Sequence, residues 1–376
     1  MTVFDREIGA KHKEEVKNML RIGMLTSGGD CQALNATMRG VVRGIKTLIT
    51  DEFEVYGFID GYKGMVYGNY KKMKYNDFTG ILNKGGTILG TSRMPFKEID
   101  IPTADGIDKV KAMKENYKKL KLDALVVLGG NGSQKTANRL ASEGLNVVGL
   151  PKTIDNDIWG TDVTFGFQSA IDVATSYIDN IYTTAESHSR IFVIEVMGHK
   201  VGWITLYAGI AGGVDAILLP EIPYDIKKVY KTIEKNQKEG KKAIMIAVAE
   251  GAIPKEVAKL PKKERKAVLA NSTYPSVAYE LADKIREKFD SDVRVAIPGH
   301  TQRGGSPDAY DKVLSSRLGA KAAELIRDKD FGKLVVIRNN EIMAIPLEES
   351  AGKLKTIDPN DEVIKSAKDL GICFGD

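Results

Sequence analysis

The 376-residue sequence predicts an α/β protein made of two doubly wound parallel-sheet domains, with the active site in the cleft between them. Three observations lead there. Short apolar runs alternate with segments of helical spacing along most of the chain. The strands read this way are too many for one compact unit, and the length favours two domains. Polar and glycine-rich clusters fall repeatedly at strand ends, where open parallel sheets carry their ligands.

Composition narrows the function. Hydrophobic content of 43% and charged content of 28% describe an ordinary soluble globular protein. The net charge is +5, but Lys and Arg are interspersed with Asp and Glu, so nucleic acid is not expected and anionic small molecules suit the surface. Met1 to Lys17 is charged throughout, which argues against a secretory signal, and no apolar run approaches a membrane span. Cys31 and Cys373 lie far apart, which favours a reducing, cytoplasmic setting without disulfides.

Taken in order, residues 1–17 read as a polar helical extension. Residues 21–27 form a strand that ends at Gly28-Gly29-Asp30, and Leu34, Met38, Val41, Val42 and Ile45 then recur at helical spacing. Glycines at such a turn let backbone amides approach an anion, and the helix start adds partial positive charge. A tight turn that needs glycine only for positive φ would look the same. Residues 53–58 give a second strand. Tyr62 to Tyr75 carries tyrosines and lysines without clear period and reads as an irregular surface excursion. Between Lys84 and Pro95, small and hydroxyl residues lead to Arg93, a plausible phosphate contact.

Ala124 to Leu128 is a nearly continuous apolar strand followed by Gly129-Gly130-Asn131-Gly132-Ser133 and a helix. Two such turns in one chain point to a shared anionic ligand such as a polyphosphate. Neither has the Lys-Ser or Lys-Thr pair of a P-loop, so backbone amides of separate loops would hold it. Val147 to Leu150 delivers Pro151-Lys152-Thr153-Ile154-Asp155-Asn156-Asp157, which packs carboxylates, an amide, a hydroxyl and an amine into one loop. An Asx-type turn also uses Asp and Asn, so the loop alone leaves both readings open. Beyond it, Phe165 to Tyr182 reads as a helix, Ile191 to Val196 as a strand ending at Met197-Gly198-His199-Lys200, and Val201 to Ala211 as a buried helix. Strand 216–219, helix 226–238 and strand 243–249 follow, the last delivering Glu250. The lysine-rich stretch 254–269 is a solvated insertion. A helix near 276–288, strand 293–297, the Pro298 to Gly305 cluster, a helix over 308–327 and strand 334–337 complete the pattern, and 345–376 is a charged tail with weak patterning.

These motifs together resemble the phosphofructokinase family, from Gly28 to about Asn340. The resemblance rests on Gly28-Gly29-Asp30 with Leu34-Asn35-Ala36, Gly129 to Ser133, Thr153 to Asp157, Glu195 to Gly198 and Gly299 to Pro307. It implies phosphoryl transfer from ATP to the 1-hydroxyl of fructose 6-phosphate, with pyrophosphate as the alternative donor. It implies Rossmann-like domains, with 1–166 plus about 302–355 binding the donor and 167–301 plus about 356–376 binding the sugar phosphate. By the same resemblance Asp155 is the general base and Thr153 and Lys152 act beside it. Asp157, Met197, Gly198, His199, Glu250, His300 and Arg303 hold the sugar phosphate, and Arg190 and Arg294 reach it from a neighbouring subunit of a homodimer or homotetramer. Gly29, Tyr62, Arg93, Gly130, Asn131, Gly132 and Ser133 match donor-binding positions, and Asn131 and Asp155 match positions that hold Mg²⁺.

Four departures qualify the match. Gly132 leaves room for ATP where many pyrophosphate users carry aspartate, whereas Lys152 is typical of pyrophosphate users. Gly132 is weighted more, because an added carboxylate would exclude ATP by bulk and charge. Asn131 replaces the usual aspartate of the metal site. His199 replaces an arginine expected to stabilise transition-state charge, which raises the alternative of a catalytically weak, sugar-phosphate-binding regulatory subunit. Arg39, Arg43, Lys241 and Asp215 match the effector site of bacterial relatives, but Tyr182 stands where arginine is expected, so weak or absent regulation follows.

Overall fold

The computed structural model describes residues 19–49 and 52–376; the extension read over 1–17 lies outside the described residues. The first domain opens with β1 (Leu20–Ser27), whose residues from Ile22 onward are all buried, and α1 (Leu34–Leu48), which turns Leu34, Met38, Val41, Val42 and Ile45 to the core. There follow β2 (Phe53–Phe58), α2 (Tyr62–Tyr67), β3 (Tyr70–Met73), α3 (Lys109–Lys119), β4 (Ala124–Gly129), α4 (Asn131–Ser142) and β5 (Val147–Pro151). The second domain contributes α5 (Phe167–His188), β6 (Ile191–Val196), α6 (Trp203–Ala211), β7 (Ala216–Leu218), α7 (Ile226–Lys238) and β8 (Ile244–Ala249). The half-buried α8 (Lys255–Ala258) and the exposed α9 (Lys262–Ala270) come next, then α10 (Val277–Lys288) and β9 (Val293–Ala296). The chain then returns to the first sheet with α11 (Ala309–Arg327), β10 (Lys333–Arg338), β11 (Glu341–Pro346) and α12 (Leu347–Ser350), and ends with α13 (Glu362–Asp369).

The larger sheet has the order β11-β10-β5-β4-β1-β2-β3, parallel from β10 to β2, with antiparallel strands at both edges. The smaller sheet, β7-β8-β6-β9, is parallel throughout. Strands covered by helices on both faces must be apolar on both faces, which is why β4 and β8 read as unbroken hydrophobic runs. One core cluster takes the inner faces of both sheets, with Ile22 and Met24 from β1 and Phe192 and Ile194 from β6. Phe167 of α5 meets Tyr207 of α6 edge to face within it. Two further clusters fill the outer face of each sheet.

Two stretches depart from the sequence reading. Tyr62 to Tyr75 is not an irregular excursion: α2 and the edge strand β3 occupy it, and Tyr62 is buried. A six-residue helix is too short to display a 3.6 period, and an edge strand with three exposed residues of four shows no alternation. The tail is also regular. Asn339 and Asn340, both at positive φ, turn β10 into β11 as a two-residue hairpin. Farther on, Asp361 caps α13 and Phe374 is buried. The helix α5 runs one and a half turns past Tyr182, and the lysine-rich α3 was not anticipated, because only Val110 and Met113 mark its buried side.

Candidate active site

The carboxyl ends of β1, β4, β5, β6 and β8 all open onto one cleft of about 1040 Å³. On its first-domain wall lie Gly28 and Gly29 after β1, Gly130 to Ser133 at the start of α4, and Lys152, Thr153, Asp155 and Asp157 after β5. The second-domain wall supplies Met197 and His199 after β6 and Glu250 after β8, while His300 and Arg303 come from a 3-10 turn at Gly299–Arg303. Arg93 stands at the rim with Lys97 and Lys135.

The loop after β5 is braced from within. The backbone N–H of Asp155 donates to Thr153 Oγ1 at 3.0 Å, and Thr164 Oγ1 donates to the Thr153 carbonyl at 2.8 Å. Asn156 adopts φ +54 and is buried; its Oδ1 accepts from Thr164 N–H and its Nδ2 donates to the Asp162 carbonyl. These bonds use the loop's amide and hydroxyls and leave the two carboxyl groups of Asp155 and Asp157 facing the cleft. Burial raises the Asp155 carboxyl above its ordinary range, opposed first by the Arg303 guanidinium. Burial, then the charge of Asp155, pushes Asp157 up to about 6. Two carboxylates that resist ionisation side by side are suited to a proton or a cation.

Lys152 is buried, and its ammonium donates to the Gly29 carbonyl. Desolvation draws it down to about 8. Arg303 lies over the same turn, its Nη1 donating to the Asp30 carbonyl at 2.9 Å, and its Nε has no partner among the described residues. A Cβ on residue 29 would stand 2.9 Å from Arg303 Nη1, so glycine is what allows the guanidinium this close to the turn after β1. A Cβ on Gly132, by contrast, would meet nothing within 4 Å and projects into open space.

Opposite, the Met197-Gly198-His199 turn folds its backbone around Glu250, whose Oε1 accepts from Gly198 N–H at 3.2 Å and His199 N–H at 2.5 Å. Gly198 takes φ +155 with the Val201 carbonyl where a side chain would begin, so no other residue fits there. The cleft thus combines anion-binding backbone turns, an acidic pair and flanking cations, the parts that phosphoryl transfer requires.

Not every expected residue reaches it. Tyr62 is buried behind the first-domain wall, its hydroxyl donating to the Ser133 carbonyl at 2.9 Å. Gly198 shapes the turn without lining the cleft. Arg190 and Arg294 lie on the amino-terminal side of β6 and β9, away from the strand ends that form the cleft, and share Asp292 at 2.6 and 3.0 Å. Arg39 and Arg43 line a separate small hollow with Phe78, and Lys241 is held by Asp215 at 2.6 Å. The Asx-type reading of this loop holds for Asn156, which braces it from within, alongside the two carboxyl groups that face the cleft. Sequence reasoning missed Gly352 and Leu354, which line the cleft from the tail and carry no local signal.

A phosphofructokinase family model matches residues 21–326. An ATP-dependent 6-phosphofructokinase of Spirochaeta thermophila is 50% identical over 357 residues, covering 94% of this chain and 97% of its own. A pyrophosphate–fructose 6-phosphate 1-phosphotransferase of Amycolatopsis methanolica is 42% identical, covering 90% and 97%. Among solved structures, the phosphofructokinase of Saccharomyces cerevisiae superposes with a TM-score of 0.74 at 32% identity, over 88% of this chain and 45% of the yeast chain.

Proposed function

The chain belongs to the phosphofructokinase family, and we propose that it transfers the terminal phosphoryl group of ATP to the 1-hydroxyl of fructose 6-phosphate, in the cytoplasm and as a step of glycolysis. Asp155 takes the hydroxyl proton as the sugar oxygen bonds to the terminal phosphorus; the bond from that phosphorus to the bridging oxygen breaks, and ADP leaves. Thr153 Oγ1, already accepting from Asp155 N–H, turns its own hydrogen to the moving phosphoryl group. Lys152 and Arg303 supply positive charge beside the Gly28-Gly29 turn. Such preorganised charge and positioning carry most of the work in this reaction class. The 6-phosphate is held by His300 and Arg303, and Met197 and Glu250 line the sugar.

The donor set fits a hard cation. Asp155 and Asp157 offer carboxylate oxygens whose ionisation a cation would ease, and the Asn131 amide adds a neutral oxygen in place of a third charge. Bound Mg²⁺ would neutralise charge on the donor phosphates. The unit 1–166 with about 302–355 binds the donor, and 167–301 with about 356–376 binds the sugar phosphate. Arg190 and Arg294, directed away from this chain's own cleft, complete the sugar-phosphate site of a second copy, so the working form is a homodimer or homotetramer. Effector regulation is weak or absent.

The observation that carries ATP over pyrophosphate is the open space beside Gly132, room for an α-phosphate and nucleoside. The Lys152 ammonium at the Gly29 carbonyl supports pyrophosphate as a second reading, since it lies where the transferred phosphate docks. Assaying purified protein with Mg²⁺ and either donor decides: ATP is expected to be used at the higher kcat/KM. Turnover with pyrophosphate and none with ATP would reverse the choice.

A further inference from the structure

Residues 350–357, from the end of α12 towards α13, line the cleft through Gly352 and Leu354 and bond to three separate pieces of the fold. Ser350 Oγ donates to the Trp159 carbonyl at 2.7 Å. The Lys353 carbonyl accepts from Asn131 Nδ2 at 2.6 Å, at the start of α4. Leu354 forms an antiparallel bridge with Ile158, and Lys355 N–H donates to the Asp157 carbonyl at 3.0 Å. Ile357 N–H donates to Glu221, whose carboxylate also accepts from Gly202 N–H at the start of α6.

Lys355 stands at the centre of these contacts. Its Nζ donates to the carbonyls of Thr161 and Asp162, at the far end of the loop that carries Asp155 and Asp157. The ammonium also lies 5.0 Å from the centre of the Trp203 ring in the first turn of α6, while Trp203 Nε1 donates back to the Lys355 carbonyl at 3.2 Å. Those carbonyls are linked to the acidic pair, because Asn156 Nδ2 bonds to the same Asp162 carbonyl. One side chain therefore ties the acid-bearing loop of the first domain to a helix of the second. A cation–π contact and charge-assisted bonds to two carbonyls of a partly desolvated lysine are strong enough to fix a loop.

We propose that Lys355 is a positioning residue for phosphoryl transfer: its ammonium locks the Asp155–Asp162 loop against Trp203 and so sets the reach of Asp155 and Asp157 into the cleft. The proposal rests on the kinase reading above. A residue that sets reach acts on turnover more than on binding, and a misplacement of about 1 Å costs on the order of 100-fold in rate.

Steady-state kinetics with Mg²⁺, ATP and fructose 6-phosphate on full-length wild type, Lys355→Met and Lys355→Arg test this, with thermal unfolding and a fluorescence titration of fructose 6-phosphate alongside. Lys355→Met is expected to lose about 10- to 100-fold in kcat with KM and sugar-phosphate affinity within about threefold, and Lys355→Arg to recover to within about fivefold of wild type. A folded Lys355→Met with lowered melting temperature but unchanged kcat overturns the positioning role, and so does an equal loss in the Arg and Met variants. If the Met variant does not fold, Lys355→Gln is measured in its place against the same expectation; failure of both to fold makes Lys355 a folding residue and overturns the proposal. A wild type without turnover on ATP or pyrophosphate, by contrast, removes the kinase reading itself.

Discussion

Replacing Gly132 by Asp tests the donor site at its most open point. The residue sits in the first turn of α4, where a new Cβ meets nothing within 4 Å, so the substitution does not disturb packing. Aspartate in a first helical turn faces the positive end of the dipole, which leaves stability unchanged or slightly raised. The consequence is electrostatic. A carboxylate about 5 Å from a donor phosphate charge, at an effective dielectric constant of about 20, costs about 3 kcal/mol, which is about 100-fold in kcat/KM for ATP. Pyrophosphate lacks the α-phosphate and nucleoside that would crowd this point, so its kcat/KM falls less and the ATP-to-pyrophosphate ratio drops. Gly132→Ala adds bulk without charge and is the control, expected within about threefold of wild type by the absence of any close neighbour. Coupled assays with both donors read the result. A folded Gly132→Asp that keeps its ATP kcat/KM would show that residue 132 does not face the donor.

Two further outcomes follow from the charges in the loop. The folded pKa of Asp157, about 6, exceeds its unfolded value, so its burial costs nothing at acid pH and weakens the fold as pH rises through 6. Asp157→Asn should therefore raise the unfolding free energy at pH 8 by about 1–2 kcal/mol once partial exposure is discounted, read as a higher urea midpoint, and leave it unchanged near pH 4; a lowered midpoint at pH 8 contradicts the assignment. Lys152, drawn down to about 8, should lose its proton as pH rises through that value, so kcat/KM falls on the alkaline side. Lys152→Arg, which keeps its charge, should make that alkaline limb shallower and leave only the part carried by Lys355, which burial also draws down to about 8; a limb unmoved by the substitution would exclude Lys152 as a source.

Most of the framework was legible because it is written in local periodicity. The strands β4, β5 and β8 read as unbroken apolar runs and β1 has an apolar middle, and the two glycine turns and the Lys152 to Asp157 loop follow β1, β4 and β5 directly. Contacts between distant segments had no such signal. Nothing near Arg303 in sequence says that its guanidinium lies over Gly29, since that closeness arises only where the 3-10 turn meets the end of β1. Tyr62 matched a donor-binding position, yet its burial between α2 and α4 turns its hydroxyl to the Ser133 carbonyl and away from the cleft. The tail read as charged and unpatterned because its residues serve other elements one at a time: Leu354 bridges Ile158, Lys355 meets Trp203 and Cys373 pairs with Ala216.

The central claim is that Asp155 accepts the proton of the sugar hydroxyl. Asp155→Asn keeps the side chain's shape and its neighbours while removing the base, so turnover of this variant against wild type at saturating Mg²⁺, ATP and fructose 6-phosphate is the direct measurement. General-base catalysis predicts a loss of about 100- to 10,000-fold in kcat with sugar-phosphate binding retained. A kcat within about threefold of wild type would contradict it.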